Sequence, residues 1–267
     1  MSENKNQVAV KPLEKFEINL TKMLEKGIKA LPSDVNSDRL KLNAMMYIAQ
    51  DEKLKLLAQS QPSKIAQIVY NFIALGLDMN NKECYIIPFG STPTVILDYK
   101  GLEKLAKKYS VDPIDNIYSR AVHVNDEYGF KDNGEFYHRF DPFASEEKRG
   151  KRIGAYCKVV YKSGSIDIEF VNLDEINRVK AVSKTASQKG SVWEKWEESM
   201  FRKTAVRKMS KHIPLDFGKY QGVEKAFKES DNDVDFERKN TDEVVEQPDV
   251  FDAEFEEIEV DENGEVV

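Results

Sequence analysis

Residues 153–170 read IGAYCKVVYKSGSIDIEF, and their pattern decides the fold. Two runs, Ile153 to Tyr161 and Ile166 to Phe170, are rich in β-branched and aromatic residues. Ser163-Gly164 joins them at the place where an antiparallel pair needs a tight turn. Upstream, Asn133-Gly134 is a second turn signal. The span from about Ile114 to Asn172 therefore reads as an antiparallel meander. Cys84 to Phe89 and Thr94 to Leu97, around Gly90, read as a separate hairpin.

Helical periodicity lies on both sides of the strands. Pro12 to Leu57 is helical with a break at Pro32-Ser33-Asp34. Pro62 starts a stronger helix, with Ile65, Ile68, Val69, Phe72 and Leu75 at helical spacing and Gly76 as its stop. Asp98 caps a helix carrying Leu102, Leu105, Ala106 and Tyr109 on one face. A helix begins near Leu173. After a polar link, Ser183 to Gly190, the last strong helix runs from Val192 to about His212, with Ser191 and Glu194 spaced as a capping box. Helices, then strands, then helices is the order of an α+β fold: a short antiparallel sheet packed with helices.

Composition excludes several classes. The chain has 267 residues, 40% hydrophobic and 33% charged, enough for a sizeable core. No apolar run approaches the ~20 residues of a membrane span, and the N-terminus has no hydrophobic signal core. Two cysteines, Cys84 and Cys157, cannot build a metal cluster or a disulfide framework and suit a reducing cytoplasm. A P-loop, an H-E-x-x-H and a C-x-x-C are all missing. No cofactor or metal is expected, and catalytic machinery is not found. His123, His138 and His212 are far apart in sequence and read as structural.

The net charge of −7 hides a division. From Glu229 to Val267 there are 17 acidic residues against Arg238 and Lys239, or −15. That leaves 38 basic and 30 acidic residues in the first 228, or +8. Residues 1–11 read as a flexible arm, 12–228 as one folded domain, and 229–267 as a disordered acidic tail. Phe236, Phe251, Phe255, Ile258 and Val260 punctuate the tail, so it is either a solubiliser, a docking segment, or a decoy for the protein's own basic surface. Between Arg178 and Lys211 lie ten basic residues against Glu194, Glu197 and Glu198, a surplus of +7. That concentration is the electrostatic footprint of a nucleic-acid binder, unless it is only a solvated helix face.

On the last helix, Phe201, Ala205 and Met209 form a core stripe that Ile213 extends. Roughly opposite lie Trp196, Met200, Lys203, Arg207 and Lys211, with Trp193 beside them. Cations along such a row meet phosphates, and rings offer stacking planes. Trp193 and Trp196 either stack on bases or pack in the core. Asp167 and Glu169 share one strand face, which leaves a metal-dependent nuclease as an alternative from another class.

Several segments together resemble the RecT family of phage and prophage recombinases. They are Ala74-Leu75-Gly76-Leu77-Asp78-Met79-Asn80 with Cys84-Tyr85-Ile86-Ile87-Pro88-Phe89, and Leu97-Asp98-Tyr99-Lys100-Gly101-Leu102, where Asp98 replaces the usual glycine. Val192-Trp193 followed by Phe201-Arg202-Lys203-Thr204-Ala205-Val206-Arg207-Lys208-Met209 completes the set. The resemblance covers about residues 60–217. It implies an ATP-independent single-strand annealing protein that binds single-stranded DNA, pairs complementary strands through an annealed duplex intermediate, and promotes strand exchange. It also implies homo-oligomeric rings or helical filaments. The partner it implies is a phage 5′→3′ exonuclease; that enzyme or a host single-strand binding protein is expected to dock, with the acidic tail as a candidate contact. The expected DNA contacts are Lys100, Lys184, Lys189, Lys203, Arg207 and Lys211, with Trp193 or Trp196 stacking. A single-strand nucleic-acid coat protein without annealing activity is the nearer alternative.

Overall fold

In the computed structural model, which describes residues 13–183, 186, 189–218 and 220–230, the chain forms two compact units. Residues 13–101 with 217–230 make one, and residues 102–216 the other. The expected arm and all of the acidic tail beyond residue 230 lie outside the described residues.

In the first unit, α1 (Glu14–Gly27) is followed by a 3-10 turn at Ile28–Ala30, α2 (Ser37–Gln50), α3 (Glu52–Ser60) and α4 (Pro62–Leu75). The helix starts are set locally. Asn36 accepts from the Arg39 amide at 2.9 Å and Asp51 from the Leu54 amide at 2.9 Å, each satisfying an orphan N–H. Gly76 closes α4 at φ 73, a left-handed conformation that glycine adopts without strain. Phe16, Leu20, Ile48, Leu54, Ile65 and Phe72 are fully buried, each contributing about 1.5–3 kcal/mol of apolar burial. The hairpin β1 (Cys84–Phe89) and β2 (Thr92–Leu97) pairs Cys84 with Leu97 through Phe89 with Thr92. A helix that periodicity did not single out, Gln221–Ser230 (α10 by its place in the chain), packs on α4 and β2. Glu229, where the acidic stretch begins, lies in it and accepts from Asn71 Nδ2 at 2.8 Å.

The helix α5 (Tyr99–Tyr109) starts in the first unit and continues in the second. Then come β3 (Ile114–His123), β4 (Glu127–Phe130), β5 (Phe136–Arg139), α6 (Glu146–Arg149), β6 (Arg152–Tyr161), β7 (Ile166–Asn172), α7 (Leu173–Ala181), α8 (Val192–Lys195) and α9 (Glu197–Ser210). The antiparallel sheet is present, but it is not a plain meander. The strand order is β3-β6-β7, and β4-β5 form their own hairpin, inserted between β3 and its partner β6. Turn signals mark where a chain reverses locally; they do not say which strand a hairpin joins. Asn133-Gly134 turns β4 into β5, with Gly134 at φ 80, and Ser163-Gly164 turns β6 into β7.

The expected single helix from Val192 is two helices. Trp196, at φ −129 and ψ 38, leaves helical geometry and separates α8 from α9. The capping box is also absent. Glu194 Oε2 accepts from the Gly190 amide at 2.6 Å, and Ser191 Oγ donates to the Ala186 carbonyl at 3.3 Å. Both side chains tie down the preceding link instead of the helix start. By contrast Asn172 and Glu175 form a complete capping box on α7.

Candidate nucleic-acid interface

Because side chains alternate along a strand, paired residues in the three strands share a face. Ser119, Cys157 and Glu169 belong to one face, and α9 packs across it. Phe201, Ala205 and Met209 are buried there, as the stripe requires, and Ile213 beyond them is buried too. Met200, Thr204 and Val206 are also buried. Met200 therefore does not belong to the cationic row. The sheet and its flanks wrap more of the helix than a single stripe covers, so the uncovered arc is narrower than expected.

That arc carries Ser199, Lys203, Arg207 and Ser210, with Lys203 and Arg207 half-buried. Trp196 precedes it and is 61% exposed, while Lys211 follows it and is exposed. Trp193 is 1% exposed and has Lys180 Nζ 5.9 Å from its ring centroid, so its ring is packed in the interior. Lys189 is exposed just before Gly190, and Lys184 lies outside the described residues. Trp196, Lys203, Arg207 and Lys211 thus follow one another along α9 and its two flanks, none of them fully buried. Lys100 belongs to the other unit, exposed in the first turn of α5, where its amide donates to Asp98 Oδ1 at 3.2 Å. The glycine after it is required by close approach: a Cβ on Gly101 would lie 2.2 Å from the Glu83 carbonyl oxygen.

One cation of the basic stretch, Lys208, has a structural role. Lys208 Nζ reaches Glu169 at 2.9 Å, Glu175 at 2.8 Å and the Phe170 carbonyl at 2.9 Å. It ties α9 to β7 and α7. Burial alone would lower its pKa, but the two carboxylates outweigh burial and raise it. Beside Trp196 lies a cleft of about 470 Å³ lined by Glu146, Glu194, Glu197 and Glu198 as well as Arg152, Lys195 and Arg202. Arg152 is paired there with Glu146, Glu197 and, at 3.9 Å, Glu198. This cleft compensates its own charge and offers little to a phosphate.

The carboxylates of the nuclease alternative are already engaged. Asp167 accepts from the Tyr161 hydroxyl at 2.8 Å, and Glu169 is held by Lys208. Among the described residues no group of three His, Cys, Asp or Glu side chains could hold a metal ion. Two of the three distant histidines, however, meet at Asp126, His138 through its ring and His123 through its backbone amide, while His212 lies 3.6 Å from Glu169. Asp126 accepts from Arg149 Nε at 2.9 Å and Nη2 at 2.6 Å, from the His123 amide at 2.9 Å, and lies 3.0 Å from His138 Nε2. Burial would raise its pKa, but Arg149 and these donors hold it far below the usual carboxylate range. Arg149 also lies 4.2 Å from the Phe140 ring centroid. The cluster fastens the end of the β4-β5 hairpin. Its members have no common spacing in sequence, so no motif could have flagged it.

The RecT family profile matches residues 38–245. The chain belongs to the RecT family. It is also 26% identical over 212 residues to protein RecT of Escherichia coli (strain K12), covering 74% of each chain. RecT-family proteins are single-strand annealing proteins of DNA recombination and not enzymes of the usual kind, and this chain is assigned to DNA binding and recombination at that level. Among the described residues no helix is long and apolar enough to cross a membrane.

Proposed function

We propose that this RecT-family chain binds single-stranded DNA along the uncovered arc of α9 and anneals complementary strands without ATP. The observation that carries the reading is that exposed Trp196 precedes α9, Lys203 and Arg207 lie on the arc of α9 that is not buried, and exposed Lys211 follows it. Lys100, Lys184 and Lys189 are the further phosphate contacts that this reading expects. Annealing needs no fuel, because stacking favours the duplex by about 1.4 kcal/mol per step. The protein's work is to neutralise two polyanions while leaving base edges free to pair. Strand exchange, assembly into rings or filaments, and docking of an exonuclease or a single-strand binding protein belong to the same reading.

The test is annealing of labelled complementary oligonucleotides by the full chain, with EDTA and without ATP. Duplex formation faster than the spontaneous rate supports the reading. Strand coating without annealing points to a coat protein, and degradation that returns with a divalent metal points to a nuclease.

A further inference from the structure

The opposite face of the β3-β6-β7 sheet has a different chemistry from the face under α9. Register places its rows as Asn116–Val160–Ile166, Tyr118–Lys158–Ile168, Arg120–Tyr156–Phe170 and Val122–Gly154–Asn172. These positions hold two cations, three aromatic rings and no carboxylate. Arg120 donates to the Ser119 carbonyl, and among the described residues neither Arg120 nor Lys158 makes an ion pair. Arg120 lies close enough to Tyr156 to oppose the rise in that hydroxyl's pKa caused by burial. Glu135 of the β4-β5 turn approaches Lys158 but is bonded to Lys131 at 2.9 Å.

The β4-β5 hairpin roofs only part of this face. Phe136 packs on Tyr156 and Phe170 at 5.1 and 4.8 Å between centroids. Phe130 stands against Phe170 at 6.0 Å and is nevertheless 66% exposed. On the far strand, Tyr118 is 42% exposed, and its hydroxyl accepts from Asn116 Nδ2 at 2.8 Å, which fixes its orientation. Exposed aromatic planes cost free energy in water, and cations without partners cost nothing only while solvated. Together they fit a ligand that supplies both flat apolar surfaces and negative charge.

We propose that this open sheet face is a second contact surface for single-stranded nucleic acid. Bases stack on Tyr118 and Phe130, and phosphates meet Arg120 and Lys158. The proposal rests on the single-strand binding reading above and adds a base-contacting surface to it. A duplex is a poor occupant, because its base planes are already stacked and unavailable to protein rings. An acidic protein surface would satisfy the cations but not the planar rings.

The experiment compares binding of the full chain to an oligothymidine and to an abasic strand of equal length, at fixed salt. Tyr118→Leu with Phe130→Leu should weaken oligothymidine binding roughly fivefold or more for each ring and leave abasic binding within about twofold. Tyr118→Phe should retain wild-type affinity. Should the leucine variant unfold, Arg120→Gln with Lys158→Gln gives the independent reading: both strands weaken, and the salt slope becomes shallower by roughly 0.7 per contact. Wild-type oligothymidine affinity in the leucine variant, with affinity lost on Lys203→Ala with Arg207→Ala, overturns the sheet-face proposal and leaves the α9 reading standing. A wild-type chain that holds neither strand overturns both. A change in sedimentation of the DNA-free leucine variant assigns the face to a second copy of the chain and overturns the proposal.

Discussion

The two faces of one three-stranded sheet have opposite fates. Under α9, Cys157, Val159, Ala155 and Val171 are buried, and the acidic Glu169 is neutralised by Lys208. On the other side, Tyr118, Arg120, Ile166 and Phe170 remain exposed beside a partial roof. The strands are the same, and alternation alone assigns each residue to its side. Truncating a side chain of the sheet is therefore expected to cost more stability on the covered face than on the open one. The hairpin over the open face is fastened by charge at Asp126, whereas α9 is fastened mainly by packing.

Breaking each fastening should give the largest effects. Asp126→Asn removes the carboxylate that Arg149 grips, leaving a largely buried guanidinium without its partner, at a cost of about 3–5 kcal/mol. The sign with pH follows from the lowered folded-state pKa. The stabilisation is complete above the unfolded value of about 3.9 and is lost as pH falls through the lower folded value. Denaturation curves for wild type should steepen toward instability only below about pH 4, and the Asn variant should lose that extra acid sensitivity.

Met209→Ala opens a cavity beneath α9 and should cost about 2–5 kcal/mol. Lys158→Ala on the open face should stay within about 0.5 kcal/mol. Comparable losses in melting experiments would abolish the contrast between the faces.

Lys203→Ala with Arg207→Ala should leave the melting curve nearly unchanged and weaken binding of every single strand alike, since phosphates carry no base identity. The slope of log K against log salt should become shallower by roughly 0.7 for each lost contact. An early melt with normal binding in the folded protein would mean that this arc faces the protein interior.

The smallest effect concerns Cys157. Burial, then Glu103 and Glu169, push its thiol up to about 12. It should resist alkylation at pH 8 in the folded protein and react once the chain is denatured. Rapid native labelling would show that the covered face opens.

Much of this was legible from local pattern. Gly76 as a helix stop, the Ser163-Gly164 turn, the Asp98 cap and the Phe201-Ala205-Met209 stripe each involve residues a few positions apart, where backbone geometry and periodicity act directly. The RecT segments and the basic surplus from Arg178 to Lys211 were readable for the same reason: composition and short motifs need no partner in space. Tertiary structure decided the rest. It buried Met200 and Trp193, because whether an apolar residue is covered depends on what packs over it. It used Lys208 to tie β7 to α9, which charge counting cannot separate from a cation facing solvent. It paired β3 with β6 across an inserted hairpin, and so brought Asp126, His123, His138 and Arg149 together. The open sheet face has the same origin: Tyr118, Lys158 and Phe170 are far apart in the chain, and only strand register makes them one surface.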